Sequence, residues 1–433
     1  MATDITIFPP TDEPAISRSG DDYVAAWPLT VPYLTMRFSN LYEDKQGVHC
    51  ELAVMVALPN WPKVADSGKL NLIAAQTRAQ VANRLSEQWN GPGAPSFRAL
   101  LGAASDLVKD QFRTGEPFVK IGLRDIERTY YALNPMLPEN KITVVFGGGG
   151  TGKSYLALAA ILAIQEAGQA DSEKWLGMVP SPGNALYLDY ETDEWEQESR
   201  VQRLAAGLGL RTWRSIDYRQ CYHPLHQDAA AIRRYIDDND ITTVAVDSLG
   251  AAVGGDPLDA AEVIRTFAAM RSFRCTVIAL DHVTKADSGG HPIGSVYKYN
   301  YARAAWETKK VQEAGSKEIR LALIHRKANN GSLVTPRGYK FTFDGDEGPV
   351  RLDKIELAAD AELAKHTSVP SRIVFELKSR QLYGEAIVAA LKLNDAELRE
   401  NTVTQAIGRM KKSGRIVTLP DGKYGLPALR QNG

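Results

Sequence analysis

Cysteine is scarce in this chain. Cys50, Cys221 and Cys275 stand far apart among 433 residues, and no Cys-x-x-Cys pair occurs. That spacing excludes a disulfide scaffold and a cysteine-built zinc site, and leaves three bland or buried thiols suited to a reducing compartment. Long apolar runs are missing as well. The nearest, 156–164, is too short to span a bilayer, so no membrane partner is expected. The start, Met1-Ala2-Thr3-Asp4, shows no basic segment leading into an apolar one. No secretory signal is read there, and a cytoplasmic location is the expectation. Excess charge of one sign is absent too. Lys and Arg number 51 against 52 Asp and Glu, a net charge of −1, so any nucleic-acid contact must be local. No internal repeat and no low-complexity tract is visible.

What is present is an ordinary globular composition, 44% apolar and 24% charged, over a length that implies two or three domains. Residues 1–122 read as a small α+β module. Strands are expected at 34–41 and 48–56 around the turn Glu43-Asp44-Lys45-Gln46-Gly47, with a further strand at 69–75 and helices at 77–89 and 96–112. Residues 123–358 alternate apolar strands with helical stretches. The strands are expected at 142–146, 185–190, 243–247, 276–281, 302–309 and 319–325, and the helices at 194–207, 228–237 and 260–271. Such alternation predicts an α/β fold with a twisted, mostly parallel sheet that binds ligands at the strands' carboxyl ends. The strands near 302, 319 and 339 have few helices between them and are expected to form an antiparallel extension. Residues 361–433 read as helices at 370–377, 383–391 and 401–414, then a hairpin about Pro420-Asp421-Gly422, which is the plan of a winged helix.

The chemistry concentrates in the central region. Gly147-Gly148-Gly149-Gly150-Thr151-Gly152-Lys153-Ser154 follows the apolar run 142–146 and opens a helix-forming segment. Strand, glycine loop, Gly-Lys-Ser and helix together make a P-loop context. Glycines let backbone N–H groups close around phosphate oxygens at a helix N-terminus, Lys153 reaches the β- and γ-phosphates, and the Ser154 hydroxyl suits Mg²⁺. ATP and Mg²⁺ are therefore the expected ligands. Three other apolar strands end in polar groups. Val244-Ala245-Val246-Asp247 delivers Asp247 as the acid of a Walker B element, sharing the Mg²⁺ with Ser154. Ala185-Leu186-Tyr187-Leu188-Asp189-Tyr190-Glu191 offers Glu191 to take a proton from attacking water, with Asp189 as the structural acid of the pair. Thr276 to Asp281 ends at His282, placed to sense a terminal phosphate.

In this order the motifs resemble the RecA-like P-loop ATPases, and within them the hexameric replicative helicases of the plasmid RepA type and related phage and mobile-element ATPases. The matching segments are 147–154, 185–191, 244–250, 280–285, 294–306 and 325–331. The resemblance implies an ATP-hydrolysing homo-oligomeric ring acting as a DNA helicase or single-strand translocase in replication. It also implies that Arg303 points at a neighbour's γ-phosphate, and that Lys327, with Arg326 as its rival, supplies a second cation there. Two departures stand out: Val246 precedes Asp247 where relatives carry a second acid, and Asp281 precedes His282 where the RepA type has another histidine. In such proteins the loops 249–257 and 284–300 face a central channel. The second carries Lys285, Tyr297, Lys298 and Tyr299, with Tyr301 just beyond, a mixture of cations and aromatic faces suited to single-stranded DNA or to packing on the next subunit. In the third region Arg409, Lys411, Lys412 and Arg415, with Asn401 and Gln405, suit duplex DNA or a protein partner. Two other uses stay open: a filament-forming recombination or annealing ATPase, and an ATP-switched DNA-binding initiator or regulator.

Overall fold

Residues 13–19, 22–27, 34–56, 66–88, 95–115, 118–122, 130–168, 171–256, 259–283, 296–329 and 331–427 are described by the structure, a computed structural model. They divide into two units, Met1–Glu127 with Ala229–Asp238, and Arg128–Asp228 with Asn239–Gly433.

The first unit carries strands β1 (Ala15–Ser19), β2 (Asp22–Trp27), β3 (Leu34–Asp44), β4 (Gly47–Val56) and β5 (Asp66–Asn71), then helices α1 (Ala75–Gln88) and α2 (Phe97–Thr114). The five strands pair antiparallel in sequence order. Along β3 the side chains alternate between core and partial exposure, the mark of a sheet with one covered face. Met36, Phe38, Leu52 and Val54 from that face pack with Val81, Leu85, Leu101 and Val108 from the helices. The β3–β4 hairpin lies where its turn residues put it. β1 and β2 are not evident in the sequence, because both are short and Ala-Ile-Ser-Arg-Ser carries little apolar signal.

The second unit begins with β6 (Tyr131–Asn134), β7 (Leu137–Pro138), β8 (Ile142–Gly147), α3 (Lys153–Gln165), α4 (Ser172–Leu176) and β9 (Val179–Pro180). It continues with β10 (Asn184–Asp189), α5 (Glu194–Gly207), β11 (Asp217–Gln220), α6 (Leu225–Asp238, of which Ala229–Asp238 belongs to the first unit), β12 (Ile241–Asp247), α7 (Leu249–Val253), α8 (Ala260–Ser272) and β13 (Thr276–His282). Then come α9 (Val296–Tyr301), β14 (Ala304–Val311), β15 (Glu318–Ala328), β16 (Arg337–Phe343) and β17 (Val350–Ile355). Nine of these strands form one sheet in the order β11-β10-β12-β13-β8-β14-β15-β16-β17. The first six run parallel and the last three antiparallel. The fold is thus mixed α/β with a mostly parallel central sheet. The strand expected at 302–309 does not open the antiparallel extension. The connection after β13 crosses over before β14 begins, so β14 enters beside β8 in the parallel sense; the extension starts one strand later.

Burial explains the central strands. Every residue of β8 is buried, as a parallel strand covered on both faces demands. Helix α3 is apolar on all sides, and Leu156 to Ile164 is buried without a break. That stretch is a core helix, which is why it reads as apolar without periodicity.

The chain ends in α10 (Val369–Ser379), α11 (Gly384–Leu393), α12 (Glu400–Lys412) and the antiparallel pair β18 (Val417–Thr418) and β19 (Tyr424–Gly425). Ile373, Leu377, Ile387, Leu391, Val403, Ile407 and Met410 make a core of their own. All three cysteines are buried thiols outside any disulfide, and burial pushes the Cys50 thiol up to about 12.

One helix–strand contact leaves no room for a side chain. A Cβ on Gly207, the last residue of α5, would stand 1.9 Å from the carbonyl oxygen of Val350 in β17. We expect Gly207→Ala to cost about 1–3 kcal/mol through this overpacking. Urea unfolding checks it: the midpoint falls with an unchanged slope, and an unmoved midpoint refutes the contact.

Candidate functional site

The carboxyl ends of β8, β10, β12 and β13 meet at the start of α3. Parallel register places them level: Asp189 stands opposite Asp247, and His282 opposite Gly147. Two glycines of the loop are dictated by the chain itself. A Cβ on Gly147 would lie 2.1 Å from Thr308 Oγ1 on β14, so the loop's first residue permits close strand approach. Gly152 adopts φ 81°, in the left-handed region that favours glycine, as it turns the chain into α3. Around Gly149 a Cβ would meet nothing within 4 Å, so space lies open beside the loop. The first N–H groups of α3 have no side-chain cap at Gly152, which leaves them to an anion.

Lys153 lies back along the loop, and its Nζ donates to the carbonyl oxygens of Gly147 at 3.1 Å and Gly148 at 3.0 Å. Burial lowers its ammonium below the ordinary value, while Asp247, Glu191 and Asp281 pull the other way and Lys310 adds to the lowering. Ser154 Oγ donates to Asp247 Oδ2 at 2.7 Å, and the buried Tyr187 hydroxyl donates to the same oxygen at 2.6 Å. Burial raises the Asp247 carboxyl, and these two hydroxyl bonds oppose the rise. A hydroxyl beside a carboxylate is a hard-oxygen donor pair that suits Mg²⁺ together with substrate phosphates. Ser154 and Asp247 therefore fit the metal expected from the sequence. Among the described residues no cluster of three His, Cys, Asp or Glu offers a self-sufficient metal site.

The two acids of the β10 end have different duties. Asp189 is fully buried and accepts from the N–H groups of Glu191 (2.9 Å) and Thr192 (3.0 Å), from Thr192 Oγ1 (2.6 Å) and from Gln197 (3.0 Å). Burial opposes its charge, but these bonds outweigh it and hold the carboxyl below its ordinary value. Asp189 thus fixes the turn that presents Glu191. Glu191 is partly exposed, and its Oε1 lies 2.9 Å from His282 Nε2. That bond is the main cause holding the Glu191 carboxyl down to about 2. Lys153, Ser154, Glu191, Asp247 and His282 are thereby brought together.

Arg303 is not with them. Its N–H bonds the carbonyl of Ile142 at the start of β8, whereas Thr308 pairs with Gly147 at the end. Five residues of strand separate the two levels, about 16 Å at 3.3 Å per residue. Lys327 lies at the same distant edge, pairing with Ala305. Its Nζ donates to the carbonyls of Tyr299 at 2.7 Å and Asn300 at 2.9 Å, and burial, then the charge of Arg303, lowers its ammonium. Arg326 turns to the buried Glu307 at 2.7 Å. Of the two rivals, Lys327 is therefore the one beside Arg303.

The channel segment differs from its reading. Lys298 is fully buried, its Nζ 3.1 Å from Asp281 Oδ2, so its charge is spent inside the protein. Tyr297 is exposed, Tyr299 donates to the Arg326 carbonyl at 2.8 Å, and Lys285 lies outside the described residues. Sequence reasoning missed Tyr187, Thr308 and Lys310. Only Tyr187 left a signal, sharing the strand face of Asp189 two residues on.

Residues 119–288 match the family model of an AAA domain. The matched stretch takes in the phosphate loop and the strands β8, β10, β12 and β13 of the mostly parallel sheet. Among solved structures, a KaiC-like protein from Pyrococcus horikoshii OT3 is 10% identical with a TM-score of 0.35, over 54% of this chain and 100% of that one. The flagellar accessory protein FlaH from Methanocaldococcus jannaschii is 13% identical with a TM-score of 0.35, over 50% of this chain and 91% of that one. No match was found among curated proteins. No helix among the described residues is long and apolar enough to cross a membrane.

The His282 contact has a consequence for pH. A carboxyl depressed in the folded state contributes stability that is complete above its ordinary 4.5 and lost as pH falls through about 2. Carboxyl carbon NMR should show Glu191 still charged at about pH 3 in the native protein and titrating nearer its ordinary range in His282→Ala. Identical titrations in the two proteins would remove the imidazole as the cause.

Proposed function

We propose that this protein hydrolyses ATP in sites shared between subunits of a homo-oligomeric ring, and uses the turnover to move along single-stranded DNA. One observation carries the reading. Arg303 and Lys327 stand together on the sheet edge away from their own P-loop, so any nucleotide they serve belongs to another copy.

One side of such a site is Lys153, Ser154, Asp247, Glu191 and His282. Lys153 and the N-terminus of α3 hold the phosphates, and Ser154 and Asp247 hold Mg²⁺, which supplies charge neutralisation when bound. Held to about 2 by His282, the Glu191 carboxylate is a weak proton acceptor. It orients water by accepting a hydrogen bond, and gains basicity when the imidazole swings to the terminal phosphate. The neighbour's Arg303 stabilises the charge that develops in the transition state. Assembly then gates hydrolysis.

DNA movement rests on thinner support: the exposed Tyr297 at the sheet end of the channel segment, with Lys298 unavailable to phosphates. A second reading has its own observation. Arg409, Lys411 and Lys412 are exposed on the last turn of α12, next to the β18–β19 hairpin, as a winged helix would present them to duplex DNA. A regulator built this way binds duplex tightly and turns over slowly. A stimulation of ATPase by single-stranded over duplex DNA favours the motor, and the reverse favours the regulator.

Mixing variants tests the shared site. Lys153→Ala and Arg303→Ala should each lower turnover at least about a thousandfold. A random one-to-one mixture should recover about a quarter of wild-type turnover, because a quarter of the interfaces pair an intact lysine with an intact arginine. A mixture as inactive as its parts would rule out the trans site.

A further inference from the structure

One cation at the phosphate loop has no work in the scheme above. Trp306, Thr308 and Lys310 alternate onto one face of β14. Trp306 Nε1 donates to the Met136 carbonyl at 3.2 Å, and Thr308 Oγ1 lies 2.9 Å from Thr151 Oγ1, so that face is pinned to the loop side of the sheet. Thr308 pairs with Gly147, the last residue of β8, and two residues later Lys310 overhangs the loop. Its Nζ stands 3.4 Å from where a Cβ on Gly150 would be. Two other lysines nearby are committed: Lys309 to Glu307 and Lys298 to Asp281. Lys310 meets only the neutral Gln312 Oε1, at 3.3 Å, and has no ion-pair partner among the described residues.

We propose that Lys310 binds the phosphate tail of the chain's own nucleotide, on the α/β-phosphate side of the loop beside Gly150. The inference rests on the ATPase reading and adds a cis contact to it. Two lysines and a helix N-terminus converge here, and like charges so placed repel until a polyanion lies between them. Gly150, at φ 63°, keeps the loop free of a side chain on the side Lys310 covers. One strand thus faces two nucleotides, its own through Lys310 and a neighbour's through Arg303. Holding the nucleotide does not then require a neighbour, although cleaving it does.

Titration of the full-length protein with fluorescent ATP and ADP analogues tests this in wild type, Lys310→Gln and Lys310→Arg. The expected result is about tenfold weaker binding of both nucleotides to Lys310→Gln, with Lys310→Arg close to wild type, since a charge-assisted contact is lost in one and kept in the other. Melting without nucleotide should be the same in all three, which a merely structural lysine would not give. Affinities within twofold of wild type in Lys310→Gln overturn the contact, and a loss confined to ATP overturns its placement on the α/β side. If wild type itself bound neither analogue, the ATPase reading would fall first; if wild type binds and Lys310→Gln does too, only the lysine contact falls.

Discussion

The parallel pairing of β14 with β8 is the constraint on which the rest depends. It needs a glycine at 147, because Thr308 stands where a side chain would be. Once the two strands are zipped, the ends of β14 have fixed destinations. Thr308 and Lys310 lie at the phosphate loop, and Arg303 lies at the opposite edge. A strand cannot bend back across its own sheet, so a single hydrogen-bond register separates Thr308 and Lys310 from Arg303.

The site is arranged around buried charge. Asp247 and Lys153 lie in a region where each charged form is disfavoured by burial and sustained by its neighbours. Such groups gain most when a ligand brings the complementary charge, since little water needs to be displaced. Asp281 and Lys298 are also buried but satisfy each other. Their ion pair ties β13 to α9. The contrast between the two pairs separates a site from a brace.

Glu191 and His282 add control. Asp189 spends its carboxylate on backbone and side-chain donors to shape the turn, and Glu191, presented by that turn, is quieted by an imidazole from the next but one strand. The bond is weak enough to exchange, being partly exposed on both sides.

By itself the sequence determined the strands of the parallel sheet except the half-buried edge strand β11, together with the P-loop and the acids and imidazole at the strand ends. Those features are local: glycine spacing, apolar runs and the residue that follows them. It also determined most helix spans, including α5 at 194–207, because amphipathic spacing and an N-cap Asp193 are written in adjacent residues. Tertiary structure alone decided the direction of β14, the burial of Lys298, which of Lys327 and Arg326 stands beside Arg303, and the arrival of Tyr187, Thr308 and Lys310 at the phosphate loop and its acids. Each of these depends on which strand lies beside which and in what register. Register is set by packing between segments more than a hundred residues apart, so no window of sequence contains it.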